Sequence, residues 1–77
     1  LFLCEAQPVV LAGFRSLLAE RSGYHLVGSA PTPAEALPLI RELQPDIILV
    51  DQASGIRPVF NFLSEVKVVA PDARVIL

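Results

Sequence analysis

Short, wholly apolar runs separated by segments of helical period set the narrowest limit on what this chain can fold into. Leu1-Phe2-Leu3-Cys4 and Ile47-Ile48-Leu49-Val50 carry no polar side chain, and Ala73-Arg74-Val75-Ile76-Leu77 is broken only by Arg74. Runs of this length without polar alternation suit strands covered on both faces, as in a parallel sheet. The β-branched Ile47, Ile48 and Val50 make the middle run the strongest strand signal in the chain.

The intervening segments have helical period. From Pro8 onward, Val10, Phe14, Leu17 and Leu18 recur at helical spacing, and Pro8 suits a first turn where its missing N–H had no partner. A helix is predicted over Pro8–Arg21, ended by Ser22-Gly23 because glycine accepts left-handed backbone. Tyr24–Gly28 reads as a second strand. Thr32, Pro33 and Glu35 form a helix-start signature in which the Thr hydroxyl and the Glu carboxylate cap each other's backbone donors. The buried face of that second helix is expected to be Ala36, Leu37, Ile40 and Leu43. Pro38 removes one backbone bond to Ala34 and predicts a kink, not a break. A third helix follows from Val59, Phe62, Leu63, Val66 and Ala70. Phe60 cannot share the face of Phe62 and is a candidate partner contact.

At 77 residues the chain is one domain at most, and 53% apolar against 18% charged residues excludes a disordered tail. A formal charge of −2, with no cluster of Lys or Arg, argues against nucleic-acid contacts within these residues. The single Cys4 forms no internal disulfide, and no apolar run approaches the roughly 18 residues of a membrane span. The expectation is a cytoplasmic, reducing setting with no membrane span and no signal peptide. Strand–helix alternation with right-handed crossovers gives an α/β class with a parallel sheet and helices on both sides. The last strand reaches Leu77 with no helix after it, so a further C-terminal part or a partner chain is expected to cover that side of the sheet.

In open parallel sheets ligands bind beyond the carboxyl ends of the strands, where Glu5 and Asp51 fall. Two such carboxylates facing one site would suit Mg²⁺, and a carboxylate there is a candidate nucleophile toward phosphorus. A role ending the strand and capping the next loop accounts for Asp51 equally well. For Glu5 the simpler role is stabilising the N-terminus of the first helix. Cys4 reads as a small buried apolar residue, and His25, without partner ligands, as a partly exposed edge-strand residue. The first strand-to-helix turn contains no glycine, which excludes dinucleotide and phosphate loops, and Glu5 and Gln7 replace the Asp-x-Asp pair of the phosphohydrolases.

The strings Leu3-Cys4-Glu5-Ala6-Gln7-Pro8, Gly13-Phe14-Arg15-Ser16-Leu17-Leu18, Val27-Gly28-Ser29-Ala30, Glu35-Ala36-Leu37, Pro45-Asp46-Ile47-Ile48-Leu49-Val50-Asp51 and Pro71-Asp72-Ala73-Arg74-Val75-Ile76-Leu77 resemble, in order and spacing, the receiver domain of bacterial two-component response regulators. The spacing is most similar to the LuxR/NarL-type transcriptional regulators, and the likeness covers essentially all of residues 1–77. The resemblance implies a flavodoxin-like doubly wound sheet of order 2-1-3-4, whose final helix–strand–helix portion lies beyond Leu77. It implies a non-enzymatic regulator in phosphorelay signalling, with Asp51 accepting a phosphoryl group from a histidine kinase. Mg²⁺ would be held by Glu5, Asp51 and the backbone carbonyl of Ala53, and would be weakened or lost because Ala6 stands where the family carries a second acid. The Gln52-Ala53-Ser54-Gly55-Ile56 loop also departs from the family's Met-Pro-Gly. Homodimerisation belongs to the same expectation, as does DNA binding through a separate output domain. The alternative is a degenerate receiver that works as a phosphorylation-independent interaction or dimerisation module.

Overall fold

The structure, a computed structural model, describes residues 1–20, 23–51 and 56–77. The elements run β1 (Phe2–Cys4), α1 (Pro8–Ala19), β2 (Gly28–Ala30), α2 (Pro33–Leu43), β3 (Ile47–Val50), α3 (Ile56–Val69) and β4 (Arg74–Ile76). All strand pairs are parallel and the sheet order is β2-β1-β3-β4, consistent with a flavodoxin-like fold. The crossover rule then assigns the helices to faces. From β1 the chain moves one way to β2, and from β2 to β3 and β3 to β4 it moves the other way. Right-handed crossovers put α1 on one face and both α2 and α3 on the opposite face.

The packing agrees with that assignment. Helix α2 lies against α3 and rests on β2 and β1. Between these helices and the sheet sits the core: Phe2, Cys4, Ala30, Ile48 and Val50 from the strands, with Ala36, Ile40, Val59, Phe62, Val66 and Ala70 from or next to the helices. Since successive strand residues point to opposite faces, Leu3, Ile47, Leu49 and Ile76 face the α1 side. Helix α1 buries none of its residues fully, and only Leu11, Phe14 and Leu18 are half-buried.

Local rules explain much of this. Thr32 Oγ1 accepts the Glu35 N–H at 3.2 Å and caps α2. The reciprocal half of the capping box differs from expectation: the Glu35 carboxylate receives the Thr32 hydroxyl at 3.4 Å. Pro38 lies inside α2, which continues through it without a break. Gln44 ends α2 in left-handed backbone, φ 48°, and its N–H reaches the Ile40 carbonyl at 2.9 Å. Its side-chain amide donates to the Arg41 carbonyl at 2.9 Å and to the Val69 carbonyl at 2.7 Å. One side chain thus satisfies carbonyls left open at the C-terminal ends of both α2 and α3.

Several expectations need correction. The second strand is Gly28–Ala30 and not Tyr24–Gly28, because pairing with Phe2, Leu3 and Cys4 defines it, not the bulk of Tyr24 and Val27. His25 therefore lies ahead of that strand, exposed, with its carbonyl accepting from Leu1 N at 2.9 Å. On α1 the sheet-facing line is Leu11, Phe14 and Leu18, while Val10 and Leu17 are exposed. On α2, Ala36 and Ile40 are buried and Leu37 is half-buried, but Leu43 is exposed at the helix end over Gly28. The first helix ends at Ala19. Arg21, Ser22 and the Gly55 loop lie outside the described residues, whereas Gly23 takes the expected positive φ, 90°.

Candidate functional site

The register brings Glu5 and Asp51 level. Cys4 pairs with Val50, so the next residue on each strand stands at the carboxyl rim of two adjacent parallel strands. The ladder reaches these residues: Asp51 N–H donates to the Cys4 carbonyl at 3.0 Å, and Glu5 N–H donates to the Ala30 carbonyl at 3.0 Å. Glu5 is therefore held between β2 and β3, with Asp51 one strand spacing away, about 4.8 Å along the hydrogen-bonding direction. The rim is also where the chain reverses its direction of travel across the sheet, the usual ligand position in open α/β folds. Both acids are half-buried.

Cys4 reports on the same corner. The residue is 3% exposed, and burial, then the negative charges of Asp51 and Glu5, push the pKa of its thiol up from 9.0 to about 11. It is a protonated, inert member of the core, not a nucleophile.

The side chain of Glu5 has a partner of its own. Its Oε1 accepts the Gln7 N–H at 2.9 Å. Gln7 is the N-cap position of α1 and supplies no side-chain cap; Pro8 follows at the helix start, and no acid occupies the first turn. Ala6, exposed beside it, offers no side-chain oxygen. A cavity of about 190 Å³ adjoins this turn, lined by Glu5, Ala6, Pro8 and Leu11 and by Ser29, Ala30 and Pro31. Asp51 does not line it.

Mg²⁺ prefers octahedral oxygen ligands and keeps several waters. The described side chains do not compose such a set: one carboxylate is engaged with Gln7, position 6 is a methyl, and Asp51 is left. Among the described residues no group of three or more His, Cys, Asp or Glu could hold a metal ion. The Ala53 carbonyl lies outside the described residues.

A cavity of about 570 Å³ lies elsewhere, at the C-terminal end of α1 among Arg15, Glu20, Tyr24 and His25. It opens at the end of α1 and the approach to β2, the rim opposite Asp51, where α/β sheets do not usually bind ligands. Phe60 is 63% exposed and Phe62 2% exposed, as helical spacing requires. Sequence reasoning missed two features: Gln44 bridging two helix ends, and the turn from Glu5 to Gln7. Pro45, just past the end of α2, was the available signal for a helix stop at Gln44. No helix of the described residues is long and apolar enough to cross a membrane. Against known proteins, no family matches the chain, and no curated protein is similar to it.

Proposed function

We propose that this chain is a receiver domain of a two-component response regulator, acting in the cytoplasm to regulate transcription, with Asp51 as the phosphoacceptor. The observation that carries the reading is the level placement of Asp51 beside Glu5 at the carboxyl rim of β3 and β1. In the transfer, a carboxylate oxygen of Asp51 attacks the phosphorus of a phosphohistidine on a histidine kinase. A P–O bond forms, the P–N bond breaks, and its electron pair leaves with the imidazole nitrogen, which takes up a proton. The product is an aspartyl phosphate on a half-buried rim, carrying about −1.5 to −2 charge where the carboxylate carried about −1. That charge sits at the carboxyl rim of the sheet, so the output is a change of surface that alters dimerisation and, through a separate output domain, DNA binding.

A second reading is favoured by one observation, the engagement of Glu5 with Gln7 beside Ala6. In that reading the chain is a degenerate receiver that binds partners without phosphorylation. Incubation of the folded protein with a small acyl phosphate, followed by intact-mass measurement, separates the two. Addition of a phosphoryl group, abolished by Asp51→Asn, is the expected result. No addition to the folded wild-type protein contradicts the first reading and leaves the second.

A further inference from the structure

We propose that the rim carrying Asp51 takes up no divalent cation through residue 5, because Glu5 is the brace of the β1–α1 turn. This deepens the reading of that rim as the functional site and rests on it. Glu5 Oε1 accepts the Gln7 N–H at 2.9 Å, which closes the turn between β1 and α1. Gln7, the N-cap of α1, has no side-chain cap, and the first turn of α1 has no acid of its own. The Glu5 carboxylate is thus the negative group at the positive end of that helix, where charge complements the unpaired N–H groups.

The need for such a brace is greater here than on the other helices. Helix α1 buries none of its residues fully, so little side-chain packing holds its start in place. A carboxylate withdrawn from Gln7 toward a cation would free that N–H at the least anchored helix. The surroundings disfavour a hydrated ion as well. Ala6 offers no side-chain oxygen, and Ala6, Pro8, Leu11, Ala30 and Pro31 give the adjoining cavity mostly apolar walls. The residue next to Glu5 thus supplies no second carboxylate for a cation.

Backbone-amide NMR of the folded protein tests this without requiring phosphorylation. Excess MgCl₂ is expected to leave the Glu5 and Asp51 signals of the wild type unmoved. Glu5→Gln keeps a carbonyl acceptor for Gln7 and should retain slow hydrogen exchange at the Gln7 amide. Glu5→Ala should speed that exchange roughly fivefold, the loss of one ordinary hydrogen bond. Ala6→Asp should create Mg²⁺-dependent shifts at residues 6 and 51. Mg²⁺-dependent shifts at Glu5 in the wild type that vanish in Glu5→Gln would overturn the proposal. So would unchanged Gln7 exchange in Glu5→Ala. If that variant does not fold, the Mg²⁺ titrations of the wild type and Glu5→Gln still decide. Failure of Asp51 to take up phosphate would count against the receiver reading while leaving the Gln7 exchange result standing.

Discussion

The two faces of the sheet are built differently from the same kind of residue. On one, α2 and α3 close over Phe2, Cys4, Ile48 and Val50, and Ile40, Phe62 and Val66 reach near-complete burial. On the other, the side that the crossover rule gives to α1, Ile47 and Leu49 are only half-buried, the residues of α1 are at best half-buried, and Val9 is 83% exposed. Hydropathy alone does not separate them, since α1 is the most apolar helix of the three by composition. What separates them is closure. Two helices that pack against each other exclude water from the strands beneath, whereas a single helix leaves its flanks wet. The rim site inherits the asymmetry: β1 and β3, which carry Glu5 and Asp51, are both anchored to the closed face through Phe2, Cys4, Ile48 and Val50, and Glu5 opens the turn to the loosely packed one.

Large-to-small substitutions should expose this contrast most strongly. Phe62→Ala is expected to lower stability by about 3–5 kcal/mol in denaturant unfolding. Leu17→Ala, on a side chain 56% exposed, should stay within about 0.5 kcal/mol. Comparable losses at both sites would dissolve the distinction between the faces. Gly28→Ala comes next. A Cβ there would sit 2.9 Å from Leu43 Cδ1 and 3.2 Å from Phe2 Cε2. Leu43 has room to swing outward, but Phe2 is fully buried, so a loss of about 1–3 kcal/mol is expected. A neutral result would mean that the edge of the closed face yields as easily as the open one.

Gln44→Ala removes the donor shared by the ends of α2 and α3 and should cost about 1–2 kcal/mol by thermal or denaturant unfolding. Gln44→Gly sharpens the result, because it relieves the left-handed φ of 48° while still losing the side-chain bonds. The smallest effect concerns Cys4. With its pKa raised from 9.0 to about 11, the unfolded chain binds fewer protons than the folded one between those values. The associated stability is present below about pH 9 and falls as pH rises toward about 11. Alkylation of Cys4 should accordingly be far slower in the folded than in the unfolded protein at neutral pH, and equal rates would place the thiol outside the closed core.

Legibility from sequence followed the same divide. Ile47–Val50 declared itself through β-branched residues, and Val59, Phe62, Val66 and Ala70 through spacing, because a closed face demands a complete apolar stripe. Thr32 and Glu35 were readable because a cap is local chemistry. Helix α1 misled, since on an open face Val10 and Leu17 are no less apolar than Leu11 and Phe14 and nothing local distinguishes them. Strand β2 was expected too early, at Tyr24–Gly28, because Gly28, Ser29 and Ala30 have little strand propensity. Partnership with Phe2, Leu3 and Cys4 creates it. At the rim, the positions of Glu5 and Asp51 followed from strand ends, while the bond from Gln7 to Glu5 depends on how the turn closes in three dimensions.

The central claim is that Asp51, and no other side chain, accepts a phosphoryl group. Treating acyl-phosphate-incubated protein with borohydride reduces an aspartyl phosphate to homoserine, whose place is read by peptide mass spectrometry. Homoserine at position 51 is the expected result. Homoserine at another aspartate, or none in protein shown to be folded, would contradict the account.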